Sequence, residues 1–171
     1  MASSSSLAPV PDASAPLAPS LSHPVLAAFL SFVISQGLKV LASRYKEQRW
    51  DLARIFGSGG MPSSHAATVM GLATAIGLKD GPGGSLFAIA VVLASVVMYD
   101  ASGVRLQAGH QAKVLNQIVI DLPREHPLSD STPLRELLGH TPLQVTAGGI
   151  LGCLVALFLQ IFLYEATYES F

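Results

Sequence analysis

Four stretches of this chain are so apolar that they restrict its solvent before anything else about the fold is considered. Val25 to Ala42 reads VLAAFLSFVISQGLKVLA, and a second run begins inside GSGGMPSSHAA and ends at Leu78. Leu86 to Val104 reads LFAIAVVLASVVMYDASGV, and Val145 to Tyr164 reads VTAGGILGCLVALFLQIFLY. A helix needs roughly 20 apolar residues to cross a bilayer core. The first and fourth stretches meet that length, and the third meets it with Asp100 at one end. The second is short and mild, and hydropathy alone leaves it open. Only 12% of the residues are charged and half are hydrophobic, whereas soluble domains carry about 25% charge. The net charge of −1 and the lack of a basic patch interleaved with aromatics set nucleic-acid binding aside.

Small residues recur every fourth position in all four stretches: Ala27, Ser31, Ser35; Ala67, Gly71, Ala75; Ala90, Ala94; and Gly148, Gly152, Ala156. Positions i and i+4 share a helix face. A groove of small side chains lets helix backbones approach closely, which drives association in lipid. The expected fold is therefore all-α, an integral membrane four-helix bundle over residues 25–164. Residues 1–24, rich in Ser, Ala and Pro and without periodicity, read as a disordered tail, and 165–171 as a short C-terminal tail. No Lys or Arg precedes Lys39, so the start lacks the basic character of a secretory signal or a transit peptide. The lone Cys153 lies in an apolar run and reads as a core residue.

Between the third and fourth stretches, GVRLQAGHQAKVLNQIVIDL carries apolar residues near helical spacing. It reads as an additional amphipathic helix on the interface or on the bundle. PREHPLSDSTP follows as a loop and LRELLGHTP as a short helix stopped at Gly139.

Arg44, Lys46, Arg49 and Arg54 fall in the first link, and Arg105, Lys113, Arg124 and Arg135 in the third. If basic loops stay inside, both termini are non-cytosolic. Three polar motifs then meet on the basic face: GSGGMPSSH at the start of span two, YDASGVR at the end of span three and LGHTP before span four. A helix start offers unpaired N–H groups to an anion. Gly59 and Gly60 leave the backbone uncovered, Pro62 suits the first turn, Ser63 or Ser64 would cap, and His65 could protonate a leaving oxygen. The plainer reading is a capped turn entering the membrane. Asp100 could orient a histidine or pair with Arg105. Arg105 could fork onto phosphate oxygens or anchor the topology. His140 is fixed between Gly139 and Pro142, and Gln111 could hydrogen-bond into the site. The histidines and Asp100 match no standard zinc spacing; the signal for a metal is weak, and the cofactor is unknown from sequence.

GGMPSSHAATVMGLATAIGL, VVMYDASGVRLQAGHQAKVLNQIV and LRELLGHTPLQVTAGGILG together resemble the small membrane proteins described as acid phosphatase/vanadium-dependent haloperoxidase-related. The Ser-rich start and overall length resemble a plant member, for which a plastid or an endomembrane is a compatible setting. The resemblance implies kinship with the type 2 phosphatidic acid phosphatases. Those enzymes attack a phosphoryl group with one histidine, protonate the leaving oxygen with another and hold the phosphate with Lys and Arg. Pro62, Ser63, Ser64 and His65 look like their P-S-G-H motif with Ser in place of Gly. Ser102, Arg105 and His110 only loosely follow their S-R-x5-H-x3-D motif, with Val114 in place of the acid, and no Arg-Pro dipeptide is present. The reading that follows is a membrane phosphatase or phosphotransferase acting on a lipid or isoprenoid phosphate. His65, Asp100 and His140 are its candidate catalytic residues; Gly59, Gly60, Ser63, Ser64, Arg105 and Gln111 are its candidate substrate contacts. The alternative is a non-catalytic membrane module that binds anionic headgroups or a protein partner. A small transporter is a third class, but its charges should line a midplane path.

Overall fold

The computed structural model describes residues 23–47, 60–136 and 138–168. Among these the secondary structure is helical throughout: α1 His23–Glu47, α2 Ser64–Asp80, α3 Ser85–Ser102, α4 Val104–Ile120 and α5 Pro142–Tyr168. Three runs are long and apolar enough to cross a membrane: His23–Ala42, Ser85–Ile120 and Pro142–Glu165. The short 17-residue α2 is the helix that hydropathy left open, yet it is central. It packs against α1, α3 and α5, and α1 also touches α5.

The packing follows the small-residue stripes. Ala27, Ser31 and Ser35 are buried on α1, Ala67, Gly71 and Ala75 on α2, Ala90 and Ala94 on α3, and Gly148, Gly152 and Ala156 on α5. Ser31 and Ser35 donate their hydroxyls to the carbonyls of Ala27 and Phe32, each at 2.7 Å, so they bury no unpaired donor. A Cβ on Gly152 would run into the Ala67 carbonyl and lie 2.8 Å from the Gly71 nitrogen. Backbone thus touches backbone where α2 crosses α5. Large side chains point the other way: Phe29, Ile89, Val92, Val96, Phe158, Ile161 and Phe162 are all exposed. Small inside and large outside is the arrangement expected when lipid surrounds the helices and burial of apolar surface cannot drive their association.

α3 and α4 are separated by the single residue Gly103, and among the helices α4 packs only against α3. The amphipathic helix forms where its periodicity placed it, but its partner is neither α1, α2 nor α5. Residues 131–140 lie along it instead. The short helix expected within 134–139 does not form at the described residues, which are extended or bent. The reason is reach. From Leu134 to His140 the strap must run from Asn116 on α4 to Ala101 at the end of α3. Fifteen positions along α3 and α4, interrupted at Gly103, span at most roughly 22 Å at about 1.5 Å each. Six extended steps cover roughly 20 Å at about 3.3 Å each, while six helical ones would cover roughly 9 Å.

Candidate functional site

The site is organised around the start of α2. Gly60 holds φ +95°, a left-handed conformation that suits glycine, and the chain then turns through Pro62 into the cap. Ser63 is the N-cap; its hydroxyl accepts from the Ala66 N–H at 3.4 Å. Its own N–H donates to the Gln144 carbonyl at 3.1 Å. Gln144 in turn closes a reciprocal cap with Thr141: the Thr141 N–H donates to Oε1 at 3.0 Å, and the Gln144 N–H to Oγ1 at 3.4 Å. The starts of α2 and α5 are therefore fastened side by side. Pro62 precedes the cap rather than opening the helix.

Ser64 is the first helical residue, and its Oγ accepts from the Lys39 ammonium at 3.1 Å. Lys39 is 2% exposed. Among the described residues no carboxylate pairs with it. A buried cation whose partner is a neutral hydroxyl leaves positive potential uncompensated at the helix start. In the sequence Lys39 stands out only as the first basic residue. The available signal was a single cation inside an apolar helix, which is costly unless something uses it.

The other wall comes from the end of α3 and the strap. Asp100 accepts from Arg105 Nε at 2.5 Å. The break at Gly103 lets the two residues face each other one turn apart. His140 is anchored by its N–H to the Ala101 carbonyl at 2.9 Å. Its ring is 2% exposed, with Nε2 buried and unbonded. The rings of His65 and His140 meet edge to face, centroids 6.4 Å apart. Together with Val97, Ala101 and Leu138, these two histidines, Asp100 and Arg105 line one small cleft. Burial first, and then the charges of Lys39, His65 and Arg105, lower the His140 pKa to about 4. The imidazole is thus neutral at pH 7, and one nitrogen is left bare.

Of the sequence candidates, His65, Asp100, Arg105 and His140 come together, with Ser63, Ser64 and Gly60 behind them. Gln111 does not join them. It lies on the exposed side of α4 beside His110, Val114 and Leu115. Gly59 lies outside the described residues. Asp100 engages Arg105 rather than an imidazole. Among the described residues no three His, Cys, Asp or Glu side chains gather as metal ligands.

The chain matches the family described as Divergent PAP2 over residues 21–155. It is similar to the protein described as uncharacterized membrane protein YuiD of Bacillus subtilis (strain 168), with 37% identity over 149 residues, covering 81% of this chain and 94% of that one. No solved structure matches. The shared family and the apolar helices agree on an integral membrane location: this chain is a membrane protein of the divergent PAP2 family.

Proposed function

We propose that the cleft binds a phosphate monoester of a lipid or isoprenoid and hydrolyses it or transfers its phosphoryl group. In this reading α1, α2, α3 and α5 all cross the bilayer and the cleft opens at the face carrying the basic links, with both termini on the other side. Lys39, the first N–H groups of α2 and the Arg105 guanidinium hold the phosphoryl oxygens. Asp100 keeps Arg105 aimed. The lone pair of neutral His140 Nε2 attacks phosphorus and the bond to the lipid oxygen breaks. His65, protonated once the bound phosphate offsets the charges of Arg105 and Lys39, gives that oxygen its proton, and water then cleaves the N–P bond to release phosphate, returning a proton to His65. The carrying observation is the buried, unbonded Nε2 of His140, on a ring that meets His65 edge to face beside a helix start with Lys39 and Arg105 close by. An orphan buried acceptor costs about 1–3 kcal/mol, and a bound group would give it a use.

The test is phosphate release by the detergent-purified chain across a panel of lipid and isoprenyl phosphates, beside His65→Ala and His140→Ala. Release that disappears in both variants supports the reading; no release from any substrate by a folded wild type refutes it. A second reading, a non-catalytic module holding anionic headgroups, is favoured by one observation: Asp100 is spent on Arg105, so among the described residues no carboxylate hydrogen-bonds an imidazole of the cleft. It requires His65→Ala to leave cellular function intact while Arg105→Ala weakens binding to vesicles containing a phosphatidate.

A further inference from the structure

We propose that Asn116, about three turns along α4 from the cleft, is a positioning residue for His140, acting through the strap that joins Leu134 to His140. That His140 works in the cleft rests on the function proposed above; that Asn116 places it does not.

The strap lacks regular hydrogen-bonded structure, so something else must fix its register. Asn116 does so at one end. Its Oδ1 accepts the Leu134 N–H at 2.8 Å, and its Nδ2 donates to the Leu134 carbonyl at 2.9 Å and to Glu136 Oε1 at 3.0 Å. One side-chain amide thereby pairs both backbone groups of a single strap residue, as a neighbouring strand would. Two glycines then let the strap lie flat. A Cβ at Gly109 would collide with the Glu136 carbonyl, and one at Gly139 with the backbone of Leu106, 2.7 Å from the Arg105 carbonyl carbon. The final contact is the His140 N–H on the Ala101 carbonyl. Positions 116, 109, 106 and 101 descend the helices in order as 134, 136, 139 and 140 ascend the strap. Freeing Leu134 would therefore unfasten the strap from α4 at one end, and the His140 ring is the functional group at its other end.

The experiment follows the His140 imidazole by NMR in the full-length chain in micelles, with 13C-labelled histidine and assignment by His140→Gln. In the wild type it should titrate near 4. In Asn116→Ala its midpoint should rise by at least about one pH unit toward the ordinary imidazole range, with helix content retained. Gln117→Ala, an exposed neighbour that reaches only Asp121, should leave the midpoint in place. Asn116→Asp combined with Glu136→Gln keeps an acceptor for the Leu134 N–H and reverses the side-chain bond, and should recover part of the shift. If Asn116→Ala fails to fold, Gly109→Ala lifts the strap from the same helix and should give the same rise. An unmoved midpoint in whichever of these two variants folds overturns the proposal. If lipid phosphate is hydrolysed, kcat should fall about a hundredfold in Asn116→Ala, the scale of an ångström-sized misplacement, with KM little changed. A shifted midpoint without hydrolysis in any form, wild type included, sinks the phosphatase reading and leaves the positioning role standing.

Discussion

Acid should loosen this protein through His140, and the size of the effect can be worked out. The folded state holds the imidazole neutral down to about pH 4, while the unfolded chain protonates it near the ordinary value of 6.5. Between those values the unfolded state binds one more proton than the native state, so stability rises with pH. The contribution is fully present above 6.5 and is lost as the pH falls towards 4, below which both states are protonated. At about 1.4 kcal/mol per pH unit, the total is about 3 kcal/mol. Because the ring is almost fully buried, little solvent screening reduces this figure. The assay is reversible unfolding in mixed micelles, titrated with SDS and followed by circular dichroism at pH 7, 6, 5 and 4. His140→Asn cannot titrate, and any stability it loses by truncation is the same at each pH. The wild type should therefore lose about 3 kcal/mol more than the variant between pH 7 and pH 4. Parallel curves for the two proteins would refute the claim that His140 is held neutral by burial and by its cationic neighbours.

Further outcomes follow from other contacts. Lys39→Met removes a buried cation without leaving a charged partner behind, so the fold should be kept or slightly stabilised. Lipid-phosphate release should nevertheless fall at least about tenfold, since a charge-assisted contact of roughly 1.5–3 kcal/mol is lost, as steady-state kinetics would show. Gly152→Ala drives a methyl into the Ala67 carbonyl and should cost about 1–3 kcal/mol, read as a lower unfolding midpoint in SDS. Asp100→Asn breaks a half-exposed ion pair and should change stability by less than about 1 kcal/mol. Its effect should appear in KM for a phosphate substrate, because Arg105 loses its anchor.

What could be read from the chain beforehand was whatever obeys a short period. Ala67, Gly71 and Ala75 spell out a packing face at every fourth residue, and burial follows that face. The ends of α2, α3 and α5 were equally legible, because a glycine-rich turn, an acid after an apolar run and Gly-His-Thr-Pro each punctuate a helix. Long-range pairings carried no such mark. Lys39 reaches Ser64 across 25 positions, and in a list of basic residues it looks like any topology charge. The segment LRELLGH has helical propensity, but Asn116 and Ala101 hold points too far apart for a helix to bridge, so tertiary tethering overrides the local preference. Gln111 was drawn towards the cleft by proximity in sequence to Arg105. On α4 those six residues are more than a full turn, and they carry it away from the cleft.

The register of the strap, pinned at Asn116 and Ala101, also sets where this chain can tolerate a change of length. One residue added between Leu134 and His140 would give about 3.3 Å of slack and turn the next side chain to the opposite face, swinging the imidazole out of the cleft. One residue removed would shift the register the other way and turn the ring just as far. The turns from Asp121 to Asp130 bear no such load, so epitope tags and natural insertions should be accommodated there and excluded from the seven residues that follow Pro133.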